Sequence, residues 1–318
     1  MSRVSSVISL APMNSPCGLL SLNKPAGMTS RDLVNRVQRI FRPAKAGHAG
    51  TLDPMATGVL LVAVGSVTRL ISHLQQREKV YESVFELGCS SDTDDITGTV
   101  TRHPAPAGIP DLAAITTMLQ EFTGRIRQHP PAYSAVHIEG RRAYDLARQG
   151  QAVIPDARSV EVHEITVHHW EWPALTLRIR CGSGTYIRSI ARDLGLRLGC
   201  GGLMSSLQRT AIGEFRIDQA LDCEELDRER LTAALIPPVR LVENLPQHFC
   251  DGDALTELRC GRRIIPAADQ AAGLSADATV ALISEDRQHL LALAEFTADG
   301  QLQPRTVFQQ AVDQACGV

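Results

Sequence analysis

Two stretches of strict alternation set the frame. Across 80–87, Tyr81, Ser83, Phe85 and Leu87 alternate with Val80, Glu82, Val84 and Glu86. Across 174–181, Leu175, Leu177, Ile179 and Cys181 alternate with Thr176, Arg178 and Arg180. A period of two puts each set on one face of a strand, so both segments predict half-exposed strands. The second runs through GSGT into a stripe of helical period, Ile187, Ile190, Ala191 and Leu194, ended by Gly195 and carrying Arg188 and Arg192 one turn apart on another face. Thr29 and Asp32 form a capping-box variant ahead of Leu33, Val34, Val37, Ile40 and Phe41, a second helix that Pro43 stops. Residues 111–124 predict a helix closed by Gly124, and 90–98 (SSDTDDITG) an acidic turn. GVLLVAVG at 58–65 reads as a short buried strand, although its six apolar residues also fit the start of a helix. No strand–helix rhythm repeats along the chain. The expected class is therefore α+β, a mainly antiparallel central sheet with flanking helices.

A length of 318 residues gives room for two domains. The character of the chain changes at IPPVRLVENLP (236–246), beyond which ATVALISEDRQHLLALAEF reads as two short strands around a polar turn. The expected division is a loose tail over 1–17, a main domain over 18–240 and a small β-rich domain over 241–318. Hydrophobic content of 44% and charged content of 21% suit a soluble globular protein. No apolar run approaches the roughly 18 residues of a membrane span, and the first segment lacks the basic and apolar parts of a secretion signal. Eight scattered cysteines without a C-x-x-C pair argue for free thiols in a reducing cytoplasm and against a zinc site. His168 and His169 are adjacent and point apart on a strand, no cluster has metal-ligand spacing, and no phosphate-cradling glycine loop occurs, so neither metal nor organic cofactor is expected.

Charge is unevenly spread. Residues 1–213 hold 23 Lys/Arg against 17 Asp/Glu, a net of +6, and residues 214–318 hold 9 against 18, a net of −9. One half of the molecule then suits a polyanion and the other does not. Arg31, Arg36, Arg39, Arg42 and Lys45 lie off the apolar stripe of the 29–43 helix or just past its end, as a solvated face or as a phosphate-contacting one.

The most unusual block is GHAGTLDPMATG at 47–58, where Asp53 is the only acid. Asp-Pro is ordinary turn chemistry. Three segments together say more: SLNKPAGMTS (21–30), GHAGTLDPMATGVLLVAVGSVTRL (47–70), and CGSGTYIRSIARDLG (181–195) with GLMSSLQRTAIGEF (202–215). Over about 18–245 the chain resembles the TruB-type tRNA pseudouridine synthases. PPAYSAVHIEGRRAYDLARQG (130–150) is similar to the insert of the bacterial stand-alone enzymes, and LQPRTVF weakly resembles part of their PUA-like C-terminal domain.

The resemblance implies isomerisation of the uridine at position 55, in the T loop of tRNA, by a monomer acting without a guide RNA and without a membrane. By motif position, Asp53 is the nucleophile, Tyr81 the aromatic beside the target base and Arg188 the partner of the aspartate. Tyr186, Leu207, His48 and Lys24 help build or enter the RNA site as substrate-binding residues, and Lys24 with Pro25 matches a turn beside it. Each residue has a plain structural alternative: a turn aspartate, a core tyrosine or leucine, an exposed helix arginine, a loop-stabilising histidine.

The chemistry suits one carboxylate. The base detached from C1′ returns through C5, so no water has to be activated and the second carboxylate of a glycosidase is dispensable. Attack at uracil C6 and at ribose C1′ both remain open. A cation within about 4–6 Å lowers a carboxylate pKa by ~1–3 units and so opposes the desolvation of a closed pocket. Flipping the base costs a few kcal/mol, and stacking on an aromatic face returns about 1–3 kcal/mol. A tRNA-binding and remodelling protein without catalysis, and a glycosidase acting on free nucleosides, are the rival readings.

Overall fold

The computed structural model describes residues 16–106, 108–134, 137–138, 141–142, 155–224, 226–271 and 273–315. Most of the expected tail and much of the 130–150 insert lie outside the described residues. Cys17 is held, with its Sγ 3.0 Å from the Ser66 hydroxyl.

Among the described residues ten strands form the central sheet. Its main path runs Leu221–Asp222, Gly18–Lys24, Thr57–Val64, Gly202–Ile212, Lys79–Leu87, Ala174–Cys181, Arg158–Glu171 and Gly124–Gln128, with Ala46–His48 beside Thr57–Val64 and Phe215–Arg216 beside Gly202–Ile212. All neighbours are antiparallel except Gly18–Lys24 with Leu221–Asp222 and Thr57–Val64 with Gly202–Ile212. The expected α+β class holds.

The alternation of the two founding strands is realised as burial. Tyr81, Phe85 and Leu87 join Leu175, Leu177, Ile179 and Cys181 in one core, covered by Ile187, Ile190, Ala191 and Leu194 of the helix Ile187–Arg197 and by Ile115 and Leu119 of the helix Leu112–Gln120. The helix Ser30–Ile40 buries Leu33, Val34 and Val37 against Leu20, Leu22, Leu60 and Val62. Its capping box is complete: the Asp32 amide donates to the Thr29 hydroxyl at 3.1 Å and the Thr29 amide donates to the Asp32 carboxylate at 3.1 Å. Such a cap contributes about 1 kcal/mol.

Thr57–Val64 is buried on both faces, which explains its unbroken apolar run. Leu60 and Val62 face the Ser30–Ile40 helix, while Val59, Leu61 and Ala63 pack on the other side with Ala281, Ile283, Leu290 and Phe308. Those last residues belong to or adjoin a second sheet of four strands, Gln247–Cys250, Thr279–Ser284, Leu290–Phe296 and Leu302–Val307. No described helix is long and apolar enough to cross a membrane.

Two glycines expected to close helices do something else. The helix Leu112–Gln120 is capped by Glu121, and Gly124, at φ +87°, opens the strand Gly124–Gln128. The second helix passes through Gly195 and ends at Arg197. There the need is closeness: a Cβ on Gly195 would stand 2.1 Å from both the Gly201 carbonyl carbon and the Gly202 nitrogen. The Gly195 carbonyl also accepts from Cys200 N at 3.1 Å and Gly201 N at 3.0 Å. Gly195→Ala should therefore cost about 1–3 kcal/mol by overpacking, although alanine is the better helix former. Urea denaturation measures this, and an unchanged or raised midpoint would contradict it.

Candidate functional site

The loop between Ala46–His48 and Thr57–Val64 carries Asp53, and the carbonyls of residues 50–54 are all engaged. Gly50 O and Thr51 O accept from Arg209 Nη2 at 3.2 Å and Nη1 at 3.3 Å. Leu52 O accepts from the Ser30 hydroxyl at 3.0 Å, which in turn accepts from Leu52 N at 2.8 Å. Asp53 O accepts from Ala56 N at 3.0 Å, and Pro54 O from Gly27 N at 2.8 Å and Lys24 Nζ at 3.3 Å. A loop whose backbone is satisfied by fixed protein groups has no water-bonded alternative geometry close by. It is a rigid mount.

Arg188 meets the mounted carboxylate from the first turn of the helix Ile187–Arg197. Its Nε lies 3.0 Å from Asp53 Oδ2 and its Nη2 donates to Oδ1 at 3.1 Å, a two-pronged pair. The remaining donors are also taken: Nη1 by Thr93 O at 3.0 Å, Nη2 by Tyr133 O at 3.2 Å, with Asp95 Oδ2 3.6 Å from Nη1. The Arg188 side chain is 7% exposed and that of Asp53 30%, so the guanidinium is sealed while the carboxylate keeps one open edge.

Burial pushes the Asp53 carboxyl above its ordinary value of 3.8; Arg188 pulls it back, Asp95 adds to the rise, and Lys24 opposes it. Desolvation is the largest influence, and the charge of Arg188 that opposes it is shared with Asp95. This carboxyl binds its proton more tightly folded than unfolded. Its stabilising contribution is therefore present at low pH and is lost as pH rises from the unfolded pKa through the folded one.

Of the other expected residues, Tyr81 and Leu207 are buried in one cluster with Leu52 and with Met55 packed on it, beneath the loop. Burial raises the Tyr81 phenol, with Arg209 alongside opposing that rise. Tyr186 precedes Arg188 by two residues, and its backbone is clamped by the Gln128 amide: Tyr186 N donates to Oε1 at 2.8 Å and Nε2 donates to Tyr186 O at 2.9 Å. His48 is half-buried with Nδ1 unpartnered among the described residues, and burial followed by the charges of Arg31 and Arg209 pushes it towards the neutral form.

Lys24 lies beneath the loop. Expected among the substrate-binding residues, it is 0% exposed, and its Nζ donates to Pro25 O at 2.8 Å, Met28 O at 2.7 Å and Pro54 O at 3.3 Å. It supports the loop from below. Burial brings its ammonium down to about 8, against the pull of Asp53. Among the described residues no three His, Cys, Asp or Glu side chains gather as metal ligands would.

Sequence reasoning missed Asp95, Gln128 and Arg209. Asp95 sits in the turn read only as acidic. A signal was present: adjacent Asp94 and Asp95 match Arg192 and Arg188, one helical turn apart, and Arg192 Nη1 reaches Asp94 Oδ2 at 2.8 Å. The turn is thus docked on the helix by two arginines, and the nearer one orients the mounted carboxylate.

A carbon-13 NMR titration of the Asp53 carboxyl should give a midpoint above 3.8. Arg188→Met should move it further upward, because desolvation and Asp95 then act without the guanidinium. A downward movement in the variant would contradict this account of the pair.

Comparison with known proteins follows the same residues. Residues 38–187 match the family model described as TruB family pseudouridylate synthase (N terminal domain), and residues 188–237 match that of the tRNA pseudouridylate synthase B C-terminal domain. The chain is 40% identical over 306 residues to tRNA pseudouridine synthase B of Synechococcus sp. (strain WH7803), covering 93% of this chain and 99% of the relative. It is 41% identical over 302 residues to the protein of the same name from Syntrophomonas wolfei subsp. wolfei, covering 92% and 98%. Among solved structures, a Cbf5-Nop10-Gar1 complex contains a chain that superposes with a TM-score of 0.71 at 27% identity, over 94% of this chain and 88% of that one.

Proposed function

This chain belongs to the TruB family of pseudouridylate synthases, and we propose that it isomerises the uridine at position 55, in the T loop of tRNA, to pseudouridine. The observation that carries the reading is the two-pronged Arg188–Asp53 pair at 3.0 and 3.1 Å, on a loop whose carbonyls are all engaged.

In this reading Asp53 is the nucleophile. It forms a transient bond to the flipped nucleotide; the N1–C1′ bond breaks, the base turns in place, C5 joins C1′, the bond to Asp53 breaks and returns its carboxylate, the C5 proton leaves and N1 gains one. Uridine and pseudouridine are isomers, so atoms and electrons balance without a co-reactant. Arg188 keeps the carboxylate oriented and available as the anion. Tyr81 offers a face to the uracil and a hydroxyl close to the proton shift at C5. Leu207 walls the base, and Tyr186 and His48 border the RNA. A neutral His48 suits a hydrogen-bonding role toward the RNA better than an ionic one.

We further infer that the enzyme works as a cytoplasmic monomer without a guide RNA. The support is end-to-end similarity to relatives named for tRNA and the free thiols of all seven described cysteines. The main catalytic unit is taken as 18–240 and the second sheet as a PUA-like domain over 241–318.

Asp53→Asn keeps the shape and the arginine contact and removes the nucleophile. The variant should bind T-arm RNA like the parent and yield at least about 10³-fold less product. Carbodiimide mapping of the RNA reads this directly. Robust pseudouridine from the variant would remove the mechanism; pseudouridine outside the T loop, made by the parent, would remove the substrate assignment.

A further inference from the structure

A second arginine lies under the site and is used by none of the steps above. Arg209 is 1% exposed and heads the largest fully buried side chains among the described residues. Its Nε donates to Val59 O at 2.8 Å, Nη1 to Thr51 O at 3.3 Å and Nη2 to Gly50 O at 3.2 Å. The three carbonyls span both ends of the Asp53 loop: two where it begins and one on the strand into which it returns. Among the described residues no carboxylate stands within ion-pair distance of it.

A buried cation without a counter-ion is costly by several kcal/mol, and an apolar side chain would fill the same volume at less expense. The position therefore calls for what only a guanidinium supplies, several donors in a fixed planar fork. An ammonium would serve poorly. Lys24 and Lys79, both within the field of Arg209, are brought down by burial to about 8.

The backbone of Arg209 is tied to the same place. It pairs with Tyr81 on one neighbouring strand and with Gly58 on the other. Gly58 sits at φ +101°, and a Cβ there would lie 2.2 Å from the Arg209 carbonyl oxygen. One residue thus registers the Tyr81 strand, the loop's start and the loop's return.

We propose that Arg209 is a positioning residue for the pseudouridylation reaction, holding the Asp53 loop closed from beneath through Gly50, Thr51 and Val59. The proposal rests on the reading of Asp53 as nucleophile. Without the fork, three buried carbonyls lose their partners and the loop must move to find others. A displacement of about 1 Å at a reacting group costs on the order of 10²-fold in rate.

The test uses the full-length enzyme on unmodified tRNA, with Arg209→Met, which removes the donors, and Arg209→Lys, which retains an amine. Turnover and KM are measured together with hydrogen exchange of the amides in 50–58. The expected result is a kcat about 10²-fold lower for Arg209→Met, with KM within about threefold and faster exchange confined to the loop. Arg209→Lys should fall between the two and decides the matter on the same readouts if the methionine variant does not fold. An unchanged kcat, a loss carried by KM, or an unaltered loop overturns the proposal. Asp53→Asn serves as the control: pseudouridine formed by that protein would mean the nucleophile reading has failed, while the exchange data would still judge what Arg209 does to the loop.

Discussion

A single guanidinium between two acids governs the arrangement of this molecule. Arg188 gives Asp53 a hydrogen bond from Nη2 at 3.1 Å and an ion-pair contact from Nε at 3.0 Å, faces Asp95 at 3.6 Å and donates to Thr93 O and Tyr133 O. Charge-assisted bonds of this kind contribute about 1.5–3 kcal/mol each, and losing one partner strands the other in a poorly hydrated place. Because the guanidinium is buried and held by Asp53, Asp95, Thr93 O and Tyr133 O together, it has little room to swing, and the carboxylate facing it is oriented with it. The helix Ile187–Arg197, the acidic turn after Ser91 and the Asp53 loop are brought together at this point.

The central sheet makes that meeting possible. Asp53 precedes one strand, Tyr81 lies on another, and between them runs Gly202–Ile212 with Leu207 and Arg209. Three interior cations, Lys24, Lys79 and Arg209, spend their hydrogens on main-chain oxygens. The polar demand of a tight loop is met from inside the protein, so the loop can be close-packed underneath and still present a charged group above.

Local pattern revealed a good share of this. The period-two strands, the capping box of the Ser30–Ile40 helix and the buried run after Gly58 follow from neighbours in sequence, and the structure contains each of them. Asp53, Arg188 and Tyr81 stood out as a group through a family resemblance. Composition and periodicity alone left each with an ordinary structural role. Asp95 was legible only in part: the Asp94–Asp95 pair matches two arginines one helical turn apart, but its meaning depends on an arginine far along the chain that folding brings beside it. Arg209 hid within a segment quoted for its likeness and not for its chemistry. Gly195 was misread because a glycine in a helical stripe looks the same whether it ends the helix or lets another backbone come close. Lys24 stood beside the site by motif position, and a lysine in a sequence carries no sign of which way its ammonium will be satisfied.

The apolar layer beneath Thr57–Val64 draws on distant parts of the chain: Leu19 comes from the first described strand and Phe308 from the segment after the last described one. During synthesis Val67, Leu70, Leu74, Ile212 and Phe215 can cover part of this layer early. The share supplied by Ala281, Ile283, Leu290 and Phe308 closes only after residue 308 has left the ribosome, and until then that apolar surface is open to misassociation.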